Sequence, residues 1–362
     1  MKKIRSIAFY LPQFHPIQEN NHWWGEGFTE WRNVVKSKPK FRNHYQPHIP
    51  SNLGFYDLRL EESRVLQAKI AKENNIFGFC YYHYWFNGKR LLNIPLDENI
   101  TLKTPNFPFC LCWANENWTR NWDGRSGINL MEQNYSNDDD VKHIHWLSEI
   151  FNDSRYIKID GKPLFLIYRS KLFPNIKKSI NTWREEYKNL GYGELYICKV
   201  ESFANEIGDP IIDGFDASIE FQPDWKNLGL PLRRNFFWKI LNKFSLGSRA
   251  FSENKIYNYS DVVNRMLKRN NVNYKRYPCV TPSWDNSPRR VSDAVIFKDS
   301  TPDLFEKWIR TVVEEFVPYS ENENFLFINA WNEWAEGNHL EPDLKWGVAY
   351  LDIVKKNLEK YV

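Results

Sequence analysis

Short apolar, β-branched or aromatic runs recur along the chain at Ile4–Tyr10, Phe77–Tyr82, Phe107–Trp113, Leu164–Tyr168, Leu195–Val200, Ala217–Phe221, Pro278–Pro282 and Phe325–Ala330. They are near-continuous rather than alternating, which is the pattern of parallel strands buried on both faces. Between or after them lie stretches with helical spacing: Leu58–Asn74, Asp138–Phe151, Asn175–Leu190, Ser260–Arg269, Pro302–Phe316 and Gly347–Leu358. In the first, Leu58, Leu60, Val65, Leu66, Ile70 and Ala71 form an apolar stripe against charged neighbours. Asp138 and Ser260 are candidate N-caps, Thr301-Pro302 reads as a cap followed by proline in the first turn, and Gly191 suits a helix end. Eight strands alternating with helices predict an α/β fold of the closed (β/α)8, TIM-like barrel type, with an open doubly wound sheet as the alternative.

Two segments exceed ordinary barrel loops, and they predict insertions at about 12–56 and 222–259 within a single domain spanning 1–362. Both follow strand ends, where a barrel builds its active site, and connections of this length usually serve function. No internal repeat, heptad or low-complexity tract interrupts the pattern. The run Asp138–Asp140 reads as a solvated helix start.

Composition narrows the class. The 362 residues are 42% hydrophobic and 26% charged, with 49 basic and 45 acidic side chains and a formal charge of +4. These charges are mixed along the chain, without a basic block interleaved with aromatics, which argues against nucleic acid as a partner. A mean hydropathy of −0.63 and the lack of any long apolar run predict no membrane span. The start, Met1-Lys2-Lys3 followed by Ile4–Leu11, resembles a signal peptide only briefly, because Arg5 and Ser6 interrupt it and no cleavage site follows. Five cysteines, Cys80, Cys110, Cys112, Cys198 and Cys279, sit in apolar runs and read as buried reduced thiols. The expectation is a soluble, cytoplasmic protein; the sequence gives no oligomeric state.

The candidate chemistry lies just after the strands. Asn332, Glu333, Trp334, Glu336, His339 and Glu341 follow the last run; Trp113, Asn115, Glu116, Trp118 and Arg120 follow the third. Glu201 ends the fifth, Gln222 follows the sixth, and Trp284-Asp285-Asn286 follows the seventh. Such a rim of Trp, Asn and carboxylates suits a sugar, with indoles against its C–H faces and polar groups on its hydroxyls. Glycosidic chemistry needs one carboxyl protonated and one ionised. Glu333 and Glu336 are three residues apart, and on a helical turn they share a face about 5–6 Å apart.

Tyr10 and His15 at the first strand exit, Trp24 and Glu30 in the first insertion, and Tyr82 (or His83) and Trp85 after the second strand are further sugar-binding candidates. The indoles of Trp23, Trp24 and Trp31 serve either as a sugar-binding wall or as a cap on the barrel. His143 and His145 read as surface or packing residues. Glu336 and His339 have the spacing of a metal-ligand pair, but the second motif such sites require is missing, so neither metal nor cofactor is expected.

Together, Phe9–Pro16 (FYLPQFHP), Trp24–Trp31 (WGEGFTEW), Trp113–Trp118 (WANENW) and Asn332–Gly337 (NEWAEG) resemble the WbsX-type proteins of bacterial surface-polysaccharide clusters, a family also described as glycoside hydrolase family 99-like. The resemblance runs over essentially the whole chain. It implies a (β/α)8 barrel related to endo-α-mannosidases, and a retaining mechanism without a covalent enzyme intermediate. By that resemblance Glu333 is the base toward the substrate 2-hydroxyl, which closes an epoxide-like sugar, and Glu336 is the acid/base. The chain departs from the hydrolases at Tyr10-Leu11-Pro12-Gln13, where they carry a Tyr-rich strand end, and it is expected to carry no secretion signal.

The leading expectation is therefore a glycosyltransferase of O-antigen, lipopolysaccharide or capsule biosynthesis acting on a glycan or activated sugar. The alternatives are an endo-acting α-glycosidase, a non-catalytic glycan-binding barrel and a metal-dependent hydrolase. In a further variant, Glu116 faces Glu333 at about 5–5.5 Å and permits a covalent nucleophile.

Overall fold

The computed structural model describes residues 2–119, 129–232, 240, 249–269 and 271–361. The eight barrel strands are β1 (Arg5–Tyr10), β2 (Ile76–Phe86), β3 (Phe109–Trp113), β4 (Lys162–Ile167), β5 (Tyr196–Val200), β6 (Ala217–Ile219), β7 (Arg276–Tyr277 and Cys279–Val280) and β8 (Phe325–Ile328). Pro278, which has no N–H to give, splits β7. Its first piece pairs with β6 and its second with β8, while β8 pairs with β1. Every one of these barrel pairings is parallel, so the sheet closes on itself. The expected barrel, rather than an open sheet, is the fold.

The helices are α1 (Gln18–Trp24) and α2 (Trp31–Lys36) at the barrel mouth, and α3 (Glu61–Glu73), α4 (Ile94–Leu102), α5 (Asn137–Phe151), α6 (Ile176–Asn189), α7 (Tyr259–Met266), α8 (Pro302–Glu315) and α9 (Ala349–Leu358) around the strands. Thr301 caps α8 by accepting from the Leu304 N–H, with Pro302 in the first turn as its sequence predicts. The cap of α5 is Ser136 rather than Asp138, and that of α7 is Asn258 rather than Ser260. Moving the start of α5 back puts all three aspartates in its first turn. Two of them are not solvated: Asp139 accepts from the Trp85 indole at 3.0 Å and Asp140 from the Ser179 hydroxyl at 2.7 Å. The α4 helix carried no amphipathic pattern in the sequence and is an addition.

One large core spans both faces of the strands. The five cysteines are free and buried in it. Close approach governs Gly78 in β2, where an added Cβ would lie 2.7 Å from the Pro108 carbonyl oxygen and 3.0 Å from Ile157 Cδ1. Gly78→Ala therefore destabilises the barrel by about 1–3 kcal/mol, read as a lower denaturant midpoint at unchanged slope. No helix among the described residues is long and apolar enough to cross a membrane.

The first insertion holds α1 and α2 and folds back over the C-terminal ends of the strands. Part of the second insertion lies outside the described residues. Strand β2 runs on past the barrel and turns into a hairpin with Lys89–Leu91, which lifts its last aromatic residues above the rim.

Candidate active site

The segment after β8 forms a small hairpin. Asn332 and Glu333 pair antiparallel with His339 and Asn338, and a 3-10 turn over Trp334–Glu336 closes it. Gly337 ends the turn at φ +57°, the left-handed region, with Asp285 so near that a Cβ would sit 3.0 Å from Asp285 Cβ. Asn332 anchors the hairpin by accepting from the Leu11 N–H at 2.7 Å and donating to the Leu11 carbonyl at 3.0 Å. Trp334 turns inward, donating its indole N–H to Glu341 at 2.6 Å and stacking on His339 with centroids 3.7 Å apart. With Trp334 and Ala335 buried, Glu333 and Glu336 are left facing the barrel mouth.

Both glutamates meet the same cation. Arg289, in the loop after β7, places Nη2 2.8 Å from Glu333 Oε1 and 3.0 Å from Glu30 Oε2, and Nη1 2.8 Å from Glu336 Oε1. The planar fork of a guanidinium matches this double engagement, which a lysine would not reproduce. Two buried carboxylates, Glu30 and Glu333, and the partly buried Glu336 surround one guanidinium and leave an excess of negative charge, so part of the cluster holds a proton. Burial pushes the Glu333 carboxyl up to about 8 in spite of Arg289, with Glu336 and Glu30 adding to the rise. Glu336 is raised in the same way, mainly by burial. The three carboxylates in turn hold Arg289 firmly charged against the cost of its burial. The Arg289 loop is fixed from below: Asp285 accepts from Gln46 at 2.6 Å and from the Ser287 N–H at 2.9 Å, faces His44 at 2.6 Å, and gives its own N–H to Glu336 O.

A cleft of about 300 Å³ opens above this cluster. Its walls come from the C-terminal ends of seven strands: Leu11 and Gln13 after β1, Tyr82 and Tyr84 on β2, Glu116 and Trp118 after β3, Tyr168 after β4, Phe221 after β6, Trp284, Asn286, Arg289 and Arg290 after β7, and Asn329, Glu333 and Glu336 after β8. Trp24 of α1 adds a further indole.

Of the residues singled out in the sequence, the structure thus brings Trp24, Tyr82, Glu116, Trp118, Trp284, Glu333 and Glu336 together around one cleft. Glu30 does not line it but bonds Arg289 from behind. Arg120 lies outside the described residues.

The others are placed elsewhere and support the fold. Tyr10 points out of the barrel to Gln67, at 2.7 Å, and His15 is fully buried within the first insertion. Trp85 stacks on His143, with centroids 4.5 Å apart, and Trp113 packs beneath it against α5 and α6. His83 pairs with His143 at 3.0 Å in the same packing cluster. Asn115 clamps the backbone of Arg169 and the Tyr135 hydroxyl. Glu201 accepts from the Tyr274 hydroxyl at 2.8 Å, and Gln222 accepts the Asp224 N–H on its side-chain oxygen and the Asn329 amide on its backbone carbonyl. Asn332, Trp334, His339 and Glu341 hold the hairpin in place, Glu341 accepting also from Tyr56 at 2.8 Å and Gln67 at 2.6 Å. The physical reason is common to most of them: a strand buried on both faces sends every second residue outward under the helices, so position after a strand does not fix direction.

Arg289 itself carried a faint signal, an Arg-Arg pair close behind Trp284-Asp285-Asn286. Glu116 is half-buried and salt-bridged to Arg169, so its carboxylate is committed to a second guanidinium. Among the described residues one group with metal-ligand chemistry stands apart from the cleft: His48, His339 and Asp343.

Residues 6–354 match the family described as Glycosyltransferase WbsX. The chain is 40% identical over 360 residues to uncharacterized protein WxcX from two strains of Xanthomonas campestris pv. campestris, an alignment covering 98% of this chain and 49% of that protein. It therefore spans about half the length of these relatives. In structure it is similar to a glycoside hydrolase-like protein, with TM-score 0.61 at 15% identity over 99% of this chain and 94% of the other. It is similar also to the glycoside hydrolase family 99 endo-α-mannosidase of Bacteroides thetaiotaomicron, with TM-score 0.58 at 15% identity over 99% and 97%. At this identity the likeness is one of fold.

Proposed function

The chain belongs to the WbsX glycosyltransferase family, and from that premise we propose that it is a retaining glycosyltransferase of bacterial surface-polysaccharide assembly acting through Glu333 and Glu336. The observation that carries this reading is the pair itself: two carboxyls bound to one largely buried guanidinium at the floor of an aromatic-walled cleft. Trp24, Trp118 and Trp284 offer flat apolar faces to pyranose C–H groups, and Asn286, Asn329 and the Glu116 oxygen not held by Arg169 offer hydrogen bonds to hydroxyls.

The proton on the cluster belongs to the two glutamates jointly, since both bond the same cation. Donor binding sets it on Glu336, beside the leaving oxygen, and leaves Glu333 ionised against the 2-hydroxyl. Glu333 takes the 2-hydroxyl proton; that oxygen bonds the anomeric carbon as the bond to the leaving group breaks, and Glu336 protonates the departing oxygen. In the second step Glu336 removes the proton of the acceptor hydroxyl, which attacks the anomeric carbon. The ring-opened 2-oxygen recovers its proton from Glu333. Two inversions give net retention.

The fold likeness to an endo-α-mannosidase and to a glycoside hydrolase-like protein favours a second reading, with water as the acceptor. Incubating the protein with activated α-mannose-like donors, with and without sugar acceptors, separates the two. New glycosidic product without appreciable free sugar supports transfer, and release of free sugar regardless of acceptor establishes hydrolysis instead.

The charge state sets a pH dependence. Because Glu333 is raised to about 8, mainly by burial, the pair carries its proton below that pH and loses it above. Initial rates should therefore fall as pH rises through about 8. A rate unchanged up to pH 9.5 would show that no proton held by this pair takes part.

A further inference from the structure

Behind the catalytic hairpin lies a second polar cluster that the glycosyl chemistry does not use. His48 comes from the first insertion, His339 from the hairpin and Asp343 from the turn beyond it, and all three are buried. His48 Nδ1 lies 2.8 Å from His339 Nε2, and Asp343 Oδ2 lies 3.8 Å from the same nitrogen. One donor atom from each of the three falls within 4.8 Å of the others.

Two features aim these atoms. His339 Nδ1 is 2.8 Å from the Glu341 carbonyl, which can only accept, so the ring hydrogen sits on Nδ1 and Nε2 presents a lone pair. This is the outer contact that metal-binding imidazoles ordinarily make. Asp343 Oδ1 accepts the N–H groups of Lys345 at 2.8 Å and Trp346 at 2.6 Å, which fixes the carboxylate and leaves Oδ2 toward the imidazoles. A cavity of about 210 Å³ borders all three residues.

A proton between the two imidazoles also satisfies them, and the 2.8 Å separation is a hydrogen-bond distance. It does not account for the third donor turned toward the same point, or for the adjoining space. Bonds of about 2.0–2.1 Å from nitrogen to zinc place two ligand nitrogens about 3.3 Å apart, so the rings need to part by only about 0.5 Å. Two neutral imidazoles and a carboxylate form a set that suits zinc, cobalt or nickel far better than magnesium or calcium.

We propose that His48, His339 and Asp343 bind one divalent transition-metal cation of the zinc class, with a further coordination position open to the cavity. The cation ties the first insertion to the hairpin, since His339 stacks on Trp334 between the two catalytic candidates. It takes no part in glycosyl transfer and does not depend on that reading of the cleft.

The test uses the full chain after chelator treatment and dialysis, titrated with Co²⁺ followed by visible absorption and with Zn²⁺ followed by calorimetry. Expected are one equivalent bound, d–d bands of a low-coordinate nitrogen–oxygen site, paramagnetically shifted ring protons from two histidines, and a higher melting temperature with metal. Asp343→Asn keeps an oxygen for the two backbone N–H groups and should weaken binding by more than about tenfold, as should His48→Gln. No binding to the wild type at micromolar metal overturns the proposal, and so does binding that both folded variants retain unchanged. If a variant does not fold, the wild-type proton shifts decide: two shifted histidines support the site, and none overturns it.

Discussion

Glu333→Gln and Glu336→Gln should each lower turnover by roughly 10²–10⁴-fold while leaving glycan binding close to that of the wild type. Glutamine keeps the shape and an oxygen for Arg289 but can neither take nor give the proton that the two steps move between sugar and enzyme. The double variant should be little worse than either single one, because the residues act as one unit across a shared proton. Steady-state rates give the first quantity, and calorimetric titration with a donor analogue gives the second. Turnover that survives either change would remove that glutamate from the reaction. A loss of binding equal to the loss of rate would assign it to substrate contact alone.

Arg289→Met carries the second large effect, this time on the fold. Its removal leaves the buried Glu30 and Glu333, and the partly buried Glu336, without their cation, and breaking a buried ion pair from one side costs about 3–5 kcal/mol. The sign with pH follows from linkage. Carboxyls whose folded-state values stand above the unfolded ones bind more protons when folded, so their contribution is fully present below the unfolded value and is lost as pH rises. The wild type already has this sign at Glu333, between its usual carboxyl range and about 8. The variant should show it more strongly, unfolding at much lower denaturant at pH 8 than at pH 5. Arg289→Lys retains the charge without the fork and should fall between. Equal midpoints for variant and wild type at pH 8 would mean that Arg289 does not neutralise this cluster.

The barrel was legible because its strands are buried on both faces and therefore stand out as apolar runs; each of the eight anticipated runs contains or overlaps a strand. The Glu333–Glu336 spacing was legible because three residues of a tight turn keep two side chains on one side whether the turn is α or 3-10. Direction was harder to read. Trp85, Trp113 and Trp334 looked like sugar platforms, yet each is committed to the protein: Trp85 to Asp139, Trp113 to the Trp85 carbonyl and Trp334 to Glu341. Arg289 was out of reach for the opposite reason. Its importance lies in contacts across 259 residues to Glu30 and 44 to Glu333, which the Arg289-Arg290 pair, its one faint local signal, does not encode. Asp139 and Asp140 make the same point, since charge alone suggested water where the indole of Trp85 and the hydroxyl of Ser179 take its place.

The proposed catalysis turns on a pair of carboxyls that act through the sugar's own 2-hydroxyl. Its most direct test compares turnover of an activated donor carrying that hydroxyl with its 2-deoxy counterpart, with intact-protein mass recorded during both reactions. Product is expected only from the hydroxylated donor, with the protein mass unchanged throughout. Comparable turnover of the 2-deoxy donor, or a covalent sugar adduct on Glu116, Glu333 or Glu336, would rule this mechanism out.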